Sequence, residues 1–285
     1  MRKYEFTGEE KEIFYSGKTV TLHRIRAVRS FGEVKEGEFG GWVECEKNLS
    51  HEGEAWVSSN AMVFDDAEVR DDAIVCDNAT IQDHAIVCDH AKVQDYADIF
   101  FKTTISGNAK VRDHARVGSA AGISDEAEIR DYARVVGNAV VCGNATVRDH
   151  AVVETYAAVR DYVTVQDHAR INDNAEVSGN VKVQGSASVF GNAKVSGDAE
   201  ISENASVFDH AEISGSARIS GNAWVRDYAV VQDKARVSGK VRICENMRVC
   251  GDTEICEDAE ISEKVENRDA AEHQMEVNKK KRHGR

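Results

Sequence analysis

The sequence predicts an all-β fold, a single-stranded parallel β-helix, and three observations predict it. From Ala55 to Lys264 the chain divides into 35 six-residue units with no insertion, beginning AWVSSN, AMVFDD, AEVRDD and AIVCDN. The third residue of every unit is Val or Ile. The first is Ala in 29 of them, the exceptions being Thr103, Val163, Val181, Val241, Met247 and Thr253. Proline is absent from the 285 residues, so backbone pairing is open almost everywhere.

Residues 1–54 precede the repeat and predict an N-terminal β cap, because an open β-helix exposes strand edges and an unsealed core. Within it Lys18–Arg29 (KTVTLHRIRAVR) has the alternation of a strand, and Phe31-Gly32 through Gly40-Gly41 the composition of turns.

Residues 55–264 form the solenoid. The first and third residues of each unit lie two apart and share one side of an extended strand, which must be interior. The second points outward and is often charged, as at Lys92, Lys110, Glu128, Arg134, Glu176 and Arg218. Positions four to six hold Asp, Gly, Asn, His, Tyr and Ser, residues that turn the chain. Every unit has the same inward phase and the same turn, so the units coil rather than pair as hairpins. Three units per coil give a triangular prism of about 12 coils, roughly 55 Å long at about 4.8 Å per coil. Each coil then buries three Val or Ile side chains at roughly 1.5–3 kcal/mol apiece.

Residues 265–285 (VENRDAAEHQMEVNKKKRHGR) predict a charged C-terminal tail with a short helix over 266–277.

Composition excludes several functions. Fifty Asp and Glu against 36 Lys and Arg give a formal charge of −14, which disfavours nucleic acid and anionic membranes as partners. There is no apolar run of transmembrane length and the start lacks a signal-peptide core, so the expectation is a soluble cytoplasmic protein. Seven cysteines do not make a disulfide scaffold. Cys244, Cys250 and Cys256 are six apart, on three successive corners and out of reach of a shared metal, and no metal site is expected.

The repeat A-x-V-x-[DG]-[NHYS] resembles the hexapeptide-repeat superfamily over residues 55–264. That resemblance implies a left-handed β-helix and, as one activity, CoA-dependent acyl transfer with a His base between the subunits of a trimer. Val20-Thr21-Leu22-His23-Arg24-Ile25, Gly40-Gly41-Trp42-Val43-Glu44, Asn48-Leu49-Ser50 and Gly53-Glu54-Ala55-Trp56-Val57 are similar to the opening of YdcK-type bacterial transferases. This chain departs from the usual motif, since Arg, Cys, Gln, Ser or Phe follows the aliphatic residue and Gly or Asp falls one later.

In an 18-residue coil, residues 18 apart stack. One corner column then runs Asp77, Asp95, Asp113, Asp131, Asp149 and Asp167, flanked by Arg112, Arg130 and Arg148 and by His114, His150 and His168. Carboxylates about 4.8 Å apart repel, so arginine, backbone N–H groups or bound cations must offset them. The column is a candidate ligand or cation ridge, and His150 and His114, each beside a carboxylate and an arginine, are candidate bases. Phe100 and Phe101 occupy a corner that is otherwise polar, next to an outward column of Thr104, Gly122, Val140 and Ala158. This patch is the candidate interface of a homo-oligomer.

Three functions are compatible with these features. They are a non-catalytic assembly or binding rod, an acyltransferase using acetyl-CoA or another acyl-CoA, and a small-anion or nucleotide binder using the arginine row. The unbroken repeat, with no loop to fence a substrate, favours the first. No cofactor is required by the sequence itself.

Overall fold

The computed structural model describes residues 2–256 and 260–261. Three cap strands, β1 (Tyr4–Tyr15), β2 (Lys18–Ala27) and β3 (Phe39–Val43), precede a run of two-residue strands. The first of these is Trp56–Val57 and the last described is Glu260–Ile261. Each pairs in parallel with the strand three units on, 18 residues away, as Lys92 with Lys110 and Val93 with Val111. Three parallel sheets result, the faces of a triangular prism. Face 1 carries Lys92 and Lys110, face 2 Asp98 and Arg116, and face 3 Thr104 and Gly122, in chain order around each coil. No helix is long and apolar enough to cross a membrane among the described residues.

The interior is the alanine column and the Val/Ile column of each face, almost all fully buried. Small and branched side chains alternate along each face, the pattern that lets successive coils pack closely. Two of the exceptions at the first position explain themselves. The Thr103 and Thr253 hydroxyls donate to the carbonyls of Phe100 and Cys250, each at 2.7 Å, so a polar atom enters the core already paired.

The corners have one shared geometry. From Ser59 to Gly251 the fifth residue of each unit is left-handed, with Asp residues at φ between 56° and 63° and Gly at most of the rest. Asp accepts this conformation at low cost and Gly at none. The carbonyl of this residue accepts the N–H of the sixth residue one coil earlier, as Asp149 O does from Tyr132 N at 2.8 Å.

The cap differs from the expected turns. Gly40 and Gly41 lie inside strand β3. A Cβ on Gly40 would stand 2.5 Å from Ile25 and 2.7 Å from Trp56, and one on Gly41 would stand 2.6 Å from the carbonyl of Ala61. These glycines let β3 lie tight against the first coil, where it pairs in parallel with Met62–Val63. Strand β1, which the alternation did not suggest, forms an antiparallel hairpin with β2 and becomes the sheet edge. A 3₁₀ turn, Glu46–Asn48, closes the floor of the solenoid. There buried Asn48 donates to the carbonyls of Asp65 and Ala67 at 3.0 and 2.9 Å. Beside it the fully buried Lys3 ammonium lies 3.4 Å from the carbonyls of Glu52 and Gly53. The expected tail over 265–285 lies outside the described residues.

Candidate functional site

The aspartate column lies on the corner between faces 1 and 2. Its carboxylates are committed to the backbone. Asp95, Asp113, Asp131 and Asp149 each accept the N–H of the next aspartate in the column at 3.1–3.2 Å, and Asp167 accepts that of Gly185 at 2.8 Å. The arginines hold the same ladder. Arg112 pairs with Asp113 at 3.0 Å and Glu128 at 2.8 Å, Arg130 with Asp131 at 3.1 Å, and Arg148 with Asp149 at 3.6 Å. Repulsion along the row is therefore offset by N–H donors and guanidinium groups within the chain.

The histidines of this corner form part of a ring stack. Tyr96, His114, Tyr132, His150 and His168 follow one another at 5.0, 5.0, 5.2 and 5.1 Å between centroids. Their planes are within 13° of parallel. His114 and His150 are exposed, and among the described residues neither faces a carboxylate at ion-pair distance.

Two other histidines of the repeat do, as does His23 of the cap, 3.5 Å from Glu10. His90 Nδ1 stands 3.5 Å from Asp72 Oδ2, and His84 Nδ1 stands 3.4 Å from Asp66 Oδ2. Both pairs are 18 residues apart, so the column arithmetic that revealed the aspartate row could have found them. Asp66 is also held by Lys47 and carries its charge more firmly for it, its carboxyl lowered chiefly by that hydrogen bond. Asp72 is fixed differently: its Oδ1 accepts the N–H of Glu54 at 2.8 Å, which leaves Oδ2 for His90. A carboxylate anchored in this way keeps a fixed position beside the imidazole.

His90 sits on the corner between faces 3 and 1. Two residues on, Lys92 begins face 1, with Lys110 in register one coil later. Two ammonium groups in adjacent coils repel, and among the described residues neither makes an ion pair. They are the cations near His90 available to an anion. On the same corner Asp71, Cys88 and Asp89 bring ligand atoms within 4.8 Å of one another. Burial pushes the Cys88 thiol up from its ordinary pKa, and Asp71 is paired with Arg70 at 2.9 Å.

The interface residues separate into two groups. Phe100 packs within its own chain, its ring over Gly118, where a Cβ would come within 2.2 Å, and under the guanidinium of Arg116 at 5.2 Å. Phe101 is 53% exposed and left-handed at φ 56°. Thr104, Gly122, Val140 and Ala158 form one column on face 3. Face 3 is opposite the corner that carries His114 and His150, so the fold holds these two groups of candidates apart. His84 and His90, by contrast, stand at the two ends of the face 3 strand Ile86–Val87.

Surface relief is slight. One depression of about 260 Å³ is lined by Asn180, Lys182, Asp198, Glu200, Ser216 and Arg218 on face 1, and another of about 240 Å³ lies at Lys18, Glu44 and Asp65 in the cap.

No protein-family model matches the chain. Over 74 residues it is 35% identical to a protein of Escherichia coli (strain K12) named "Uncharacterized acetyltransferase YdcK". That match takes in 24% of this chain and 23% of the relative's length. Among solved structures, the UDP-N-acetylglucosamine acyltransferase of Campylobacter jejuni aligns over 63% of this chain and 68% of its own, with a TM-score of 0.39 and 16% identity. The corresponding O-acyltransferase of Moraxella catarrhalis aligns over 59% and 66%, with a TM-score of 0.31 and 18% identity. The stacked six-residue coils and the relative agree with the resemblance to hexapeptide-repeat transferases, and the solenoid fold itself is plain from the strand pairing.

Proposed function

We propose that this chain transfers an acyl group from a thioester on a phosphorylated carrier, such as acetyl-CoA or another acyl-CoA, to a hydroxyl or amine. His90 is the base. The observation that carries this is the relay from Glu54 N–H through Asp72 to His90, a fixed carboxylate behind an exposed imidazole. The acetyltransferase name of the YdcK relative supports the same chemistry. The imidazole Nε2 takes the acceptor's proton as its oxygen or nitrogen attacks the thioester carbonyl. The tetrahedral oxyanion collapses, the C–S bond breaks, and the departing thiolate takes that proton back from the imidazolium. Lys92 and Lys110 suit the phosphates of such a carrier, because both are free of internal ion pairs among the described residues. Asp72 is a positioning residue that holds the tautomer.

A second reading, a non-catalytic assembly rod, is favoured by the shallow surface and by the absence of any loop leaving the solenoid among the described residues. Acyl-CoA binding by calorimetry and turnover with a panel of amine and hydroxyl acceptors separate the two. Under the first reading, His90→Ala lowers turnover by about 10²–10⁴-fold and Lys92→Ala with Lys110→Ala weakens binding. A loss confined to His150→Ala or His114→Ala moves the base to the ring stack. Absence of acyl-CoA binding leaves the rod.

A further inference from the structure

We propose that face 2 binds an acidic oligosaccharide, which lies along the solenoid axis with a carboxylate on Arg170 and a sugar ring on Trp224. This surface does not depend on acyl transfer, because face 2 is opposite the corner that carries His90. From Arg116 to Arg242 its outward column reads Arg116, Arg134, Val152, Arg170, Ser188, Ser206, Trp224, Arg242, with four arginines and no carboxylate. The other faces mix the signs in the same coils. Lys110 lies beside Glu128 and Lys182 beside Glu200 on face 1, and Glu176 beside Lys194 on face 3. Face 2 instead sets Arg116 against Arg134, a like-charge pair that works against folding. Arg116 is relieved by Asp98 at 3.1 Å. Arg134 and Arg170 make no ion pair among the described residues, although the chain holds 50 Asp and Glu. A bound anion supplies the missing partner.

The rest of the strip has the chemistry that a sugar requires. Phe190 and Phe208 stack at 4.8 Å with planes 1° apart, and Trp224 meets Phe208 edge to face at 6.0 Å. The Arg242 guanidinium lies 5.0 Å from the indole centroid. These contacts fix the indole, yet it stays 42% exposed, so little freedom is lost when a ligand packs on it. The C–H face of a pyranose ring packs on an electron-rich indole, and its hydroxyls then need partners. Ser188 and Ser206 stand between Arg170 and Trp224, and their hydroxyls make no hydrogen bond among the described residues. Arg170 and Trp224 are three coils apart, about 14 Å at the strand spacing, so the ligand spans several sugar rings rather than one.

A nucleic acid suits this face less well. Single strands bind where successive bases stack on exposed rings. The rings along the edge of face 2, Tyr96 to His168, already stack on one another, and Trp224 is the one aromatic ring of the outward column. A duplex is wider than the strip and would meet carboxylates at both flanking corners, Asp149 and Asp167 on one side and Asp173 and Asp209 on the other.

The test is titration of the full chain with hexamers of galacturonate and of mannuronate at low salt, read by calorimetry and tryptophan fluorescence. At least one should bind with a Kd below about 1 mM and change the emission. A neutral glucose hexamer should bind at least about tenfold more weakly. Arg134→Gln with Arg170→Gln should keep the thermal midpoint, weaken binding by about ten- to a hundredfold and flatten its salt dependence. Trp224→Ala should weaken it by about tenfold and remove most of the emission change. Lys182→Gln with Lys194→Gln, an equal loss of charge on the other faces, should leave binding unchanged. Failure of both acidic hexamers to bind below that limit, or a neutral hexamer binding as tightly, overturns the assignment. So does a face 2 variant that binds like the native chain, an equal loss in the Lys182→Gln with Lys194→Gln variant, or tighter binding of a single-stranded DNA hexamer.

Discussion

The carboxylate of Asp149 accepts the backbone N–H of Asp167, one coil later, at 3.2 Å. The fifth residue of a unit has no ladder partner for its N–H when the residue below it is glycine, and an aspartate there supplies one. The same contact recurs on the other two corners, at Asp83 to Phe101 on one and at Asp89 to Gly107 and Asp161 to Gly179 on the other. Asp149→Ala loses this acceptor and strains a left-handed residue, and should cost about 1–2 kcal/mol. Asp149→Asn retains an acceptor and a left-handed preference and should cost under half as much. Urea midpoints of the two variants check this.

Glycine positions should divide by what lies above them. A Cβ on Gly143 would stand 2.7 Å from the backbone nitrogen of Asp161, at φ 72°. Gly143→Ala should therefore destabilise by about 1–3 kcal/mol. Gly122→Ala meets open space in a strand and should stabilise the protomer by about 0.5–1 kcal/mol. Opposite signs in thermal unfolding are the expected result.

Phe100 and Gly118 should be coupled. Gly118→Ala drives a methyl into the Phe100 ring and should be destabilising alone, while in a Phe100→Ala background its effect should largely vanish. A double-mutant cycle measures this, and additive effects would place the ring elsewhere.

The cap should give stability a rise at alkaline pH. Burial, with Arg29 adding to it, brings the Lys3 ammonium down to about 8. Its unfolded value is 10.5, so between these limits the folded state binds fewer protons than the unfolded chain. This group's contribution to stability is thus least below pH 8 and increases as pH rises toward 10.5. Unfolding free energies at pH 7.5 and 10 should differ more for the native chain than for Lys3→Met.

The site was legible only in part, for reasons visible in particular residues. The 18-residue columns were available from spacing, and they placed Asp95 to Asp167 and Arg112 to Arg148 side by side as found. Spacing could not say that those carboxylates face backbone N–H groups. His90 and Asp72 stand in the same arithmetic, but what distinguishes them is the N–H of Glu54, a cap residue outside the repeat. Gly40 and Gly41 misled because a glycine pair signals a turn and a close approach equally well.

The sequence by itself determined the coil. A period of six, with Ala and then Val or Ile always inward, permits one way to bury every apolar side chain, and the left-handed corners follow from Asp and Gly. The tertiary structure decided what stands beside what. It set the hairpin of β1 and β2 on the sheet edge, put the ring stack opposite face 3, and brought His90 against an anchored carboxylate. Those outcomes depend on contacts between coils and with the cap, where direction and distance matter and periodicity carries no record of them.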